Sequence, residues 1–300
     1  MLLKQLYADL CEQLKYSGVS SYNLDARIIF EYILKMDAAE FYLRQDRKLT
    51  SSEIKRIKKL INRRSKNEPI AYIIGHKEFY DLDFYVNKNV LIPRPETEWL
   101  IEKSIKYLEE SIKGNTKILD TKYQILDMGT GSGNIITSLA KSLSTNPYPL
   151  SFIFYASDIS VKALEIAKEN AKLHLADKIN FIQSDLFDNI NPELKFDLII
   201  ANLPYVPLVS IKYKVSSIKY DIDYEPEKAI FANDNGAAII KEFLTQAKKR
   251  INKNGLILIE LDPRNALDIK NFAQKNYPNS TLELIKDLAG FDRYLSISID

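Results

Sequence analysis

The sequence has a single cysteine, Cys11, in 300 residues, so no disulfide can close within the chain and no thiolate cluster can hold a metal. Histidine is almost as scarce. His76 and His174 are the only two, which argues against a zinc site and against a nucleophile activated by imidazole, and no metal is expected. An excess of one charge is missing as well: 42 basic against 40 acidic residues leave +2, so any nucleic-acid contact would have to come from a local patch. No apolar run approaches the ~18 residues of a membrane span. The opening stretch MLLKQLYADLCEQL carries acidic residues inside its first apolar segment, unlike a secretory leader. A cytoplasmic protein that makes no membrane contact is expected. What is present is an ordinary globular balance, 46% hydrophobic and 27% charged. At this length, one large domain and one smaller one are expected.

Residues 1–75 read as a helical domain. Leu2, Leu3, Leu6, Leu10 and Leu14 form one stripe, and Ala26, Ile29, Phe30, Ile33 and Leu34 form a second that Asp25 is expected to start. Thr50-Ser51-Ser52-Glu53 has the form of a capping box ahead of Ile54, Ile57, Leu60 and Ile61. Arg44 to Lys66 holds ten basic and two acidic residues, a local surplus of +8 (10 − 2), which suits either a solvated helix face or a docking surface. Pro69 is expected to end the helical part. Residues 76–95 alternate, with Phe79, Leu82, Phe84, Val86, Val90 and Ile92 apolar, and read as a β-hairpin linker turning at Asn87-Lys88-Asn89. Residues 96–300 then alternate strands and helices. The expected strands are Tyr123–Met128, Phe152–Ser157, Ile179–Gln183, Phe196–Ala201, Leu256–Leu261, Leu282–Lys286 and Arg293–Ile299. The expected helices include Gly131–Leu143, Val161–Leu173, Ala237–Ile251 and Asn265–Asn276. The pattern predicts an α/β fold, a Rossmann-like seven-stranded sheet, mostly parallel and covered on both faces. Tyr213 to Glu225 is the least regular stretch and is expected to be a loop near the site.

The first strand runs directly into Gly129-Thr130-Gly131-Ser132-Gly133-Asn134 and a helix. Turns without side chains let a ligand lie against the backbone and the helix N-terminus. A dinucleotide fingerprint would place glycine at the sixth position, where this chain has Asn134. The G-x-G-x-G spacing is instead the form common in sheets that bind S-adenosyl-L-methionine (AdoMet). Asp158 ends the second strand, where a carboxylate can accept both ribose hydroxyls, although in isolation it would read as a helix N-cap. Asp185 and Leu186 follow the third strand, placed to hold the adenine amino group and cover its ring. Three such features at the carboxyl ends of successive strands support one another. The expected cofactor contacts are Gly129, Thr130, Gly131, Ser132, Gly133, Asp158, Asp185, Leu186 and Asn202.

Asn202-Leu203-Pro204-Tyr205 follows the fourth strand. An amide or aromatic amine nitrogen is a poor nucleophile because its lone pair is delocalised. Two acceptors aimed at its N–H groups favour the tetrahedral nitrogen that forms as a methyl arrives. The Asn202 side-chain oxygen and the Leu203 carbonyl can be those acceptors, with Pro204 biasing Leu203 to an extended backbone. Tyr205 offers a ring for a flat group. The alternative is a strand-capping turn with Tyr205 in the core. The segment fits methyl transfer to a planar nitrogen, giving S-adenosyl-L-homocysteine, and does not by itself distinguish glutamine from adenine.

The chain resembles the HemK/PrmC family of peptide-chain-release-factor glutamine methyltransferases over nearly its whole length. The likeness is carried by Pro69–Gly75 with Glu78-Phe79, by Leu91-Ile92-Pro93-Arg94-Pro95-Glu96-Thr97-Glu98, by Asp127–Gly133, by Ser184–Phe187, by Tyr224-Glu225-Pro226 and by Gly290–Arg293. It implies methylation of the glutamine side-chain nitrogen in a Gly-Gly-Gln motif, with Asn202 to Tyr205 on that glutamine and the helical domain helping to dock the release factor. It also implies a pocket shaped by Arg94 and Glu96, although Arg94 would serve equally as a structural brace. The family's motif is Asn-Pro-Pro-Tyr. Here Leu203 replaces the first proline, so a fixed φ is lost and a backbone N–H gained.

The rival reading is N6-adenine methylation of RNA or DNA, since Asn-Leu-Pro-Tyr also occurs in rRNA adenine dimethyltransferases. A flipped base would want a basic, aromatic track at the catalytic mouth. The basic surplus lies instead in the helical domain, leaving −6 elsewhere (+2 − 8), so sequence-specific nucleic-acid binding is not expected. A third reading is a non-catalytic scaffold that binds AdoMet or a release factor. The chain is expected to act as a monomer.

Overall fold

The computed structural model describes residues 1–113, 122–144, 151–176, 178–207 and 222–300. The expected loop Tyr213 to Glu225 lies mostly outside them. Chain contacts divide these residues into two compact units. One is Met1–His76 with Ile222–Tyr224, and the other is the remainder.

Five helices build the first unit: α1 (Leu3–Tyr16), α2 (Tyr22–Leu34), α3 (Ala38–Leu43), α4 (Ser51–Arg64) and α5 (Ile70–Ile74). Their apolar stripes meet in one core around Leu6, Leu10, Ile29, Phe30, Phe41, Ile57 and Ile61. The Thr50 box is formed as the sequence indicates: the Glu53 amide donates to the Thr50 hydroxyl at 3.2 Å, and the Thr50 amide donates to Glu53 Oε2 at 2.8 Å. Two expectations are corrected. Asp25 does not start α2, which begins after Ser21; Asp25 is buried in it and pairs with Arg64 Nε at 2.6 Å. Pro69 does not end the helices but opens α5, where its fixed φ suits a first turn. The basic run is not one charged face either. Arg44, Arg47, Arg63 and Arg64 pair with Glu40, Glu53, Glu68 and Asp25, while Lys55, Arg56, Lys58 and Lys59 are exposed on α4.

Strands β1 (His76–Phe79) and β2 (Leu82–Tyr85) pair as a two-stranded sheet. The turn is Tyr80-Asp81, both at positive φ (51° and 57°), as a tight two-residue hairpin requires. Asn87–Asn89, the expected turn, comes after the hairpin, where Asn87 Oδ1 accepts from the Asn89 amide at 2.9 Å.

The second unit is a seven-stranded sheet, consistent with the α/β class read from the alternation. Its strands are β3 (Lys122–Met128), β4 (Ser151–Asp158), β5 (Ile179–Gln183), β6 (Phe196–Ala201), β9 (Ile251–Glu260), β10 (Thr281–Lys286) and β11 (Asp292–Ser298). Their order is β10-β11-β9-β6-β3-β4-β5, parallel from β9 through β5 and antiparallel at β11 and β10. A short pair, β7 (Val206–Pro207) with β8 (Phe231–Ala232), lies outside it. Each strand feeds two cores. Along β6, Leu198 and Ile200 join one and Ile199 and Ala201 the other, which is why these strands read as continuous apolar runs. Helix α6 (Glu98–Lys113), absent from the sequence expectations, contributes Leu100, Ile101 and Leu108 to one core. Helix α7 spans Asn134–Ser144 and starts three residues later than expected, because Gly131 and Gly133 sit at positive φ. Helix α8 is Val161–Leu173. The helix Ala238–Ala247 is shorter than expected and β9 correspondingly longer, because Ile251 already pairs with Phe196.

Candidate active site

The parallel order places the carboxyl ends of β3, β4, β5 and β6 side by side, where a doubly wound sheet opens a crevice. A cavity of about 740 Å³ lies there within the second unit. Of the residues singled out in the sequence, Gly129, Thr130, Gly131, Ser132, Asp158, Asp185, Leu186, Asn202, Leu203 and Pro204 line it. Gly133 and Tyr205 do not.

The glycine loop is built by backbone bonds to the neighbouring strand. Gly129 and Thr130 amides both donate to the Ser157 carbonyl, at 2.8 and 2.9 Å, and the Thr130 hydroxyl donates to Asp127 Oδ2 at 2.7 Å. Gly131 has nothing within 4 Å of the position its Cβ would take, so the loop presents bare backbone there. At Gly133 a Cβ would lie 2.9 Å from Ala167 Cβ, so this glycine lets the loop close on α8. Asn170 of α8, fully buried, ties the assembly together: its amide group donates to the Ser132 and Tyr85 carbonyls, and its oxygen accepts from the Tyr85 amide.

Asp158 braces this loop. Oδ2 accepts from the Gly131 amide at 2.9 Å and Oδ1 from the Ser160 amide at 2.8 Å. Each oxygen keeps a further lone pair for a ligand hydroxyl. Burial raises the Asp158 pKa, and the three backbone donors around it pull it back. Asp127, fully buried beneath, is pushed up to about 7 by desolvation, against the Thr130 hydroxyl. An open glycine turn, a strand-end carboxylate and the apolar Leu186 and Ile159 on one cavity fit the polar ribose and flat base of AdoMet.

Asn202 sits in a hydrogen-bond cluster that sequence reasoning misses. Its Nδ2 donates to Thr97 Oγ1 at 3.0 Å and to Glu260 Oε2 at 3.1 Å. Thr97 Oγ1 in turn donates to Glu260 Oε2 at 2.7 Å, and the Tyr205 hydroxyl donates to Glu260 Oε1 at 2.9 Å. Asn202 Oδ1 makes no hydrogen bond among the described residues. Burial and the adjacent Glu260 carboxylate both raise the Tyr205 pKa well above its ordinary value. The Tyr205 hydroxyl is therefore turned towards Glu260 and away from the cavity. Leu203 packs on the glycine loop, with its Cδ2 2.8 Å from where a Gly129 Cβ would stand. Its backbone groups make no hydrogen bond among the described residues.

Arg94 lines the cavity and also pairs with Glu225 at 2.6 Å, so it is both wall and brace. Glu96 is exposed and does not line the cavity; its carbonyl accepts from the Tyr294 hydroxyl at 2.7 Å. Among the described residues no group of three His, Cys, Asp or Glu side chains could hold a metal ion, and no helix is long and apolar enough to cross a membrane.

Comparison with known proteins gives these arrangements a family. Residues 5–75 match the PrmC N-terminal domain, and residues 119–281 match a methyltransferase domain. A release factor glutamine methyltransferase of Rhodopirellula baltica is 35% identical, over 93% of this chain and 90% of that one. Another of the same name, from Leptospira interrogans, is 37% identical over 96% of this chain and 94% of its own. Among solved structures, the hMettl16 catalytic domain in complex with a MAT2A 3′UTR hairpin superposes with a TM-score of 0.54 at 16% identity, covering 74% of this chain and 77% of that one, a likeness of fold alone. The resemblance noted in the sequence therefore holds across both domains, and the chain belongs to the release factor glutamine methyltransferase family.

Proposed function

We propose that this protein transfers the methyl group of AdoMet to the side-chain nitrogen of the glutamine in the Gly-Gly-Gln motif of peptide chain release factors. The observation that carries this reading is Asn202. Asn202 lines the cavity beside the glycine loop; its amide nitrogen is engaged by Thr97 and Glu260, while its oxygen makes no hydrogen bond among the described residues.

AdoMet, when bound, supplies an electrophilic methyl carried on a sulfonium. Gly129 to Ser132, Asp158, Asp185 and Leu186 would hold it, Asp158 through its spare lone pairs and the loop through bare backbone. Asn202 Oδ1 accepts one N–H of the glutamine amide and the Leu203 carbonyl accepts the other. Two acceptors draw the hydrogens out of the amide plane, so the nitrogen lone pair leaves conjugation and is aimed at the methyl, and the methylated nitrogen then loses one N–H proton to water. Tyr205 acts from behind this pair by its bond to Glu260, and the flat face for the substrate amide is left to Pro204, which lines the cavity.

The release factor is the partner. The exposed Lys55, Arg56, Lys58 and Lys59 of α4 are proposed as part of its docking surface. Action as a monomer in the cytoplasm belongs to the same reading, and substrates of the translation machinery suit the cytoplasm. Adenine methylation is not favoured: relatives named for glutamine methylation match both domains, whereas the RNA-bound neighbour shares only the fold. The test is incubation with methyl-labelled AdoMet and either a release factor or rRNA, followed by mass spectrometry of the Gly-Gly-Gln peptide. One methyl on that glutamine is expected. Label in RNA with an unmodified release factor would reverse the assignment.

A further inference from the structure

Glu260 has no part in the methyl transfer itself, yet it is only 1% exposed and receives three side-chain donors from distant parts of the chain. An unpaired carboxylate in such a place is costly, and satisfying it uses the Thr97 hydroxyl, the Asn202 amide nitrogen and the Tyr205 hydroxyl together. The arrangement has a polarity. With the Glu260 carboxylate ionised, as the three donors on it favour, Thr97 Oγ1 gives its hydrogen to Glu260 and can only accept from Asn202, and Glu260 Oε2 can only accept. Rotating the Asn202 amide by half a turn would set its oxygen against two acceptors at about 3 Å and would present N–H groups to the cavity. A donor there would clash with the N–H groups of a primary amide or amine.

We infer that Glu260 is the positioning residue of this site: with Thr97 it locks the Asn202 amide in the one orientation that offers an acceptor to the substrate nitrogen, and through the Tyr205 hydroxyl it fixes the far end of the same segment. The inference rests on the methyltransferase reading of Asn202 and deepens it. Glu260 touches neither substrate nor methyl donor. Its effect is on which atom of Asn202 faces the cavity. It also sets a preference among substrates. A carbonyl or carboxylate oxygen finds only acceptors in front of it and a buried carboxylate behind them, so a Gly-Gly-Glu loop is rejected where Gly-Gly-Gln is taken.

The test uses the full chain. Asn202 side-chain amide protons, identified by their loss in Asn202→Ala, are followed by ¹H–¹⁵N NMR in the wild type and in Glu260→Gln, with no substrate present. The glutamine amide has one accepting oxygen where the carboxylate has two, so the lock is incomplete. These protons are expected to exchange with water at least ~10-fold faster in the variant, while AdoMet Kd changes by less than about two-fold. In turnover, Glu260→Gln is expected to lower kcat at least ~10-fold with little change in KM for the release factor. The double variant Asn202→Ala/Glu260→Gln is expected to be slower than Asn202→Ala by far less than the loss in Glu260→Gln alone, because Glu260 acts mainly through Asn202 and glutamine keeps an oxygen for the Tyr205 hydroxyl. Thr97→Val removes one hydroxyl at constant shape and is expected to shift the same readouts in the same direction by less. It carries the test if melting shows Glu260→Gln unfolded. Equal exchange rates in wild type and variant, or a double variant as slow as the product of the two singles, would overturn the assignment. A wild-type chain that leaves release factors unmethylated would sink the proposed function but leave the exchange comparison standing.

Discussion

Glu225 ion-pairs with Arg94 at 2.6 Å across 131 residues of sequence, and its other oxygen accepts from the Ile92 amide at 3.0 Å. The Glu225 side chain is fully buried, and Arg94 remains one-third exposed on the cavity wall. Removing the carboxylate takes away the Ile92 acceptor and the guanidinium partner together. Glu225→Ala is expected to destabilise the protein by about 3 kcal/mol, as for a broken buried pair. Arg94→Ala is expected to cost a similar amount, about 3 kcal/mol, because it removes the guanidinium that neutralises the fully buried Glu225 carboxylate. Urea unfolding of the two variants checks both values.

Asn202→Ala is expected to leave AdoMet affinity nearly unchanged and to lower turnover at least ~10²-fold, comparable to deleting one oxyanion-hole donor. Calorimetry with AdoMet and steady-state kinetics on a release factor separate the two. Wild-type turnover would remove Asn202 from the reaction.

Gly236 supports the substrate segment from below. It lies at φ +88°, and a Cβ there would stand 1.9 Å from the Tyr205 carbonyl oxygen. Asn265 Nδ2 donates to that same oxygen at 3.3 Å. Gly236→Ala meets a backbone penalty of about 1–3 kcal/mol before the clash is counted. A lower melting temperature is expected, with turnover falling much more than AdoMet binding. An unchanged melting curve would show that Tyr205 can move freely.

Asp127 makes stability depend on pH. Its folded pKa is raised from 3.8 to about 7, mainly by desolvation, and its Oδ1 has no hydrogen-bond partner among the described residues. The native state therefore binds more protons than the unfolded state between those values, and the Asp127 contribution to stability falls as pH rises through that window. Asp127→Asn keeps an acceptor for Thr130 without the charge. The stability of this variant relative to wild type should rise between pH 4 and 7, by an amount on the order of a few kcal/mol, and stay level above. A difference that does not vary with pH would contradict the raised value.

In the helical unit the basic residues divide by burial. Arg64→Ala breaks the pair with Asp25, whose side chain is 4% exposed, and is expected to cost about 3 kcal/mol. Lys58→Glu with Lys59→Glu, both on exposed positions of α4, should change stability by less than about 1 kcal/mol. If α4 docks the release factor, the same double change raises KM and leaves kcat near its starting value.

Local chemistry makes much of this architecture readable from sequence. A capping box needs only Thr50 and Glu53, and a glycine turn between a strand and a helix needs only six consecutive residues. Continuous apolar runs at Leu198–Ala201 and Leu256–Ile259 mark strands buried on both faces. What stays hidden depends on long-range pairing. Thr97 and Glu260 lie 105 and 58 residues from the Asn202 they hold, and Glu260 reads simply as the polar end of a strand. Asn170 looks like an ordinary helix residue until its bonds to Tyr85 and Ser132 appear. The misplaced hairpin turn has a different origin. Asn87-Lys88-Asn89 has turn composition, but Tyr80 and Asp81 adopt the left-handed conformations that side-chain identity does not announce. Helix α6 is missed although its signal is local: Leu100, Ile101, Ser104 and Leu108 recur at helical spacing and are all buried.

The three groups that meet at Glu260 come from positions 97, 202 and 205, and Glu260 itself lies at the end of β9. During synthesis the glycine loop and Asn202 leave the ribosome well before Glu260 does. A chain that ends before Glu260 lacks one of the two side chains that orient the Asn202 amide. At a translation rate of about 5–20 residues per second, some seconds separate the two events. The direction of that amide is therefore set only once β9 has been made and lies beside β6.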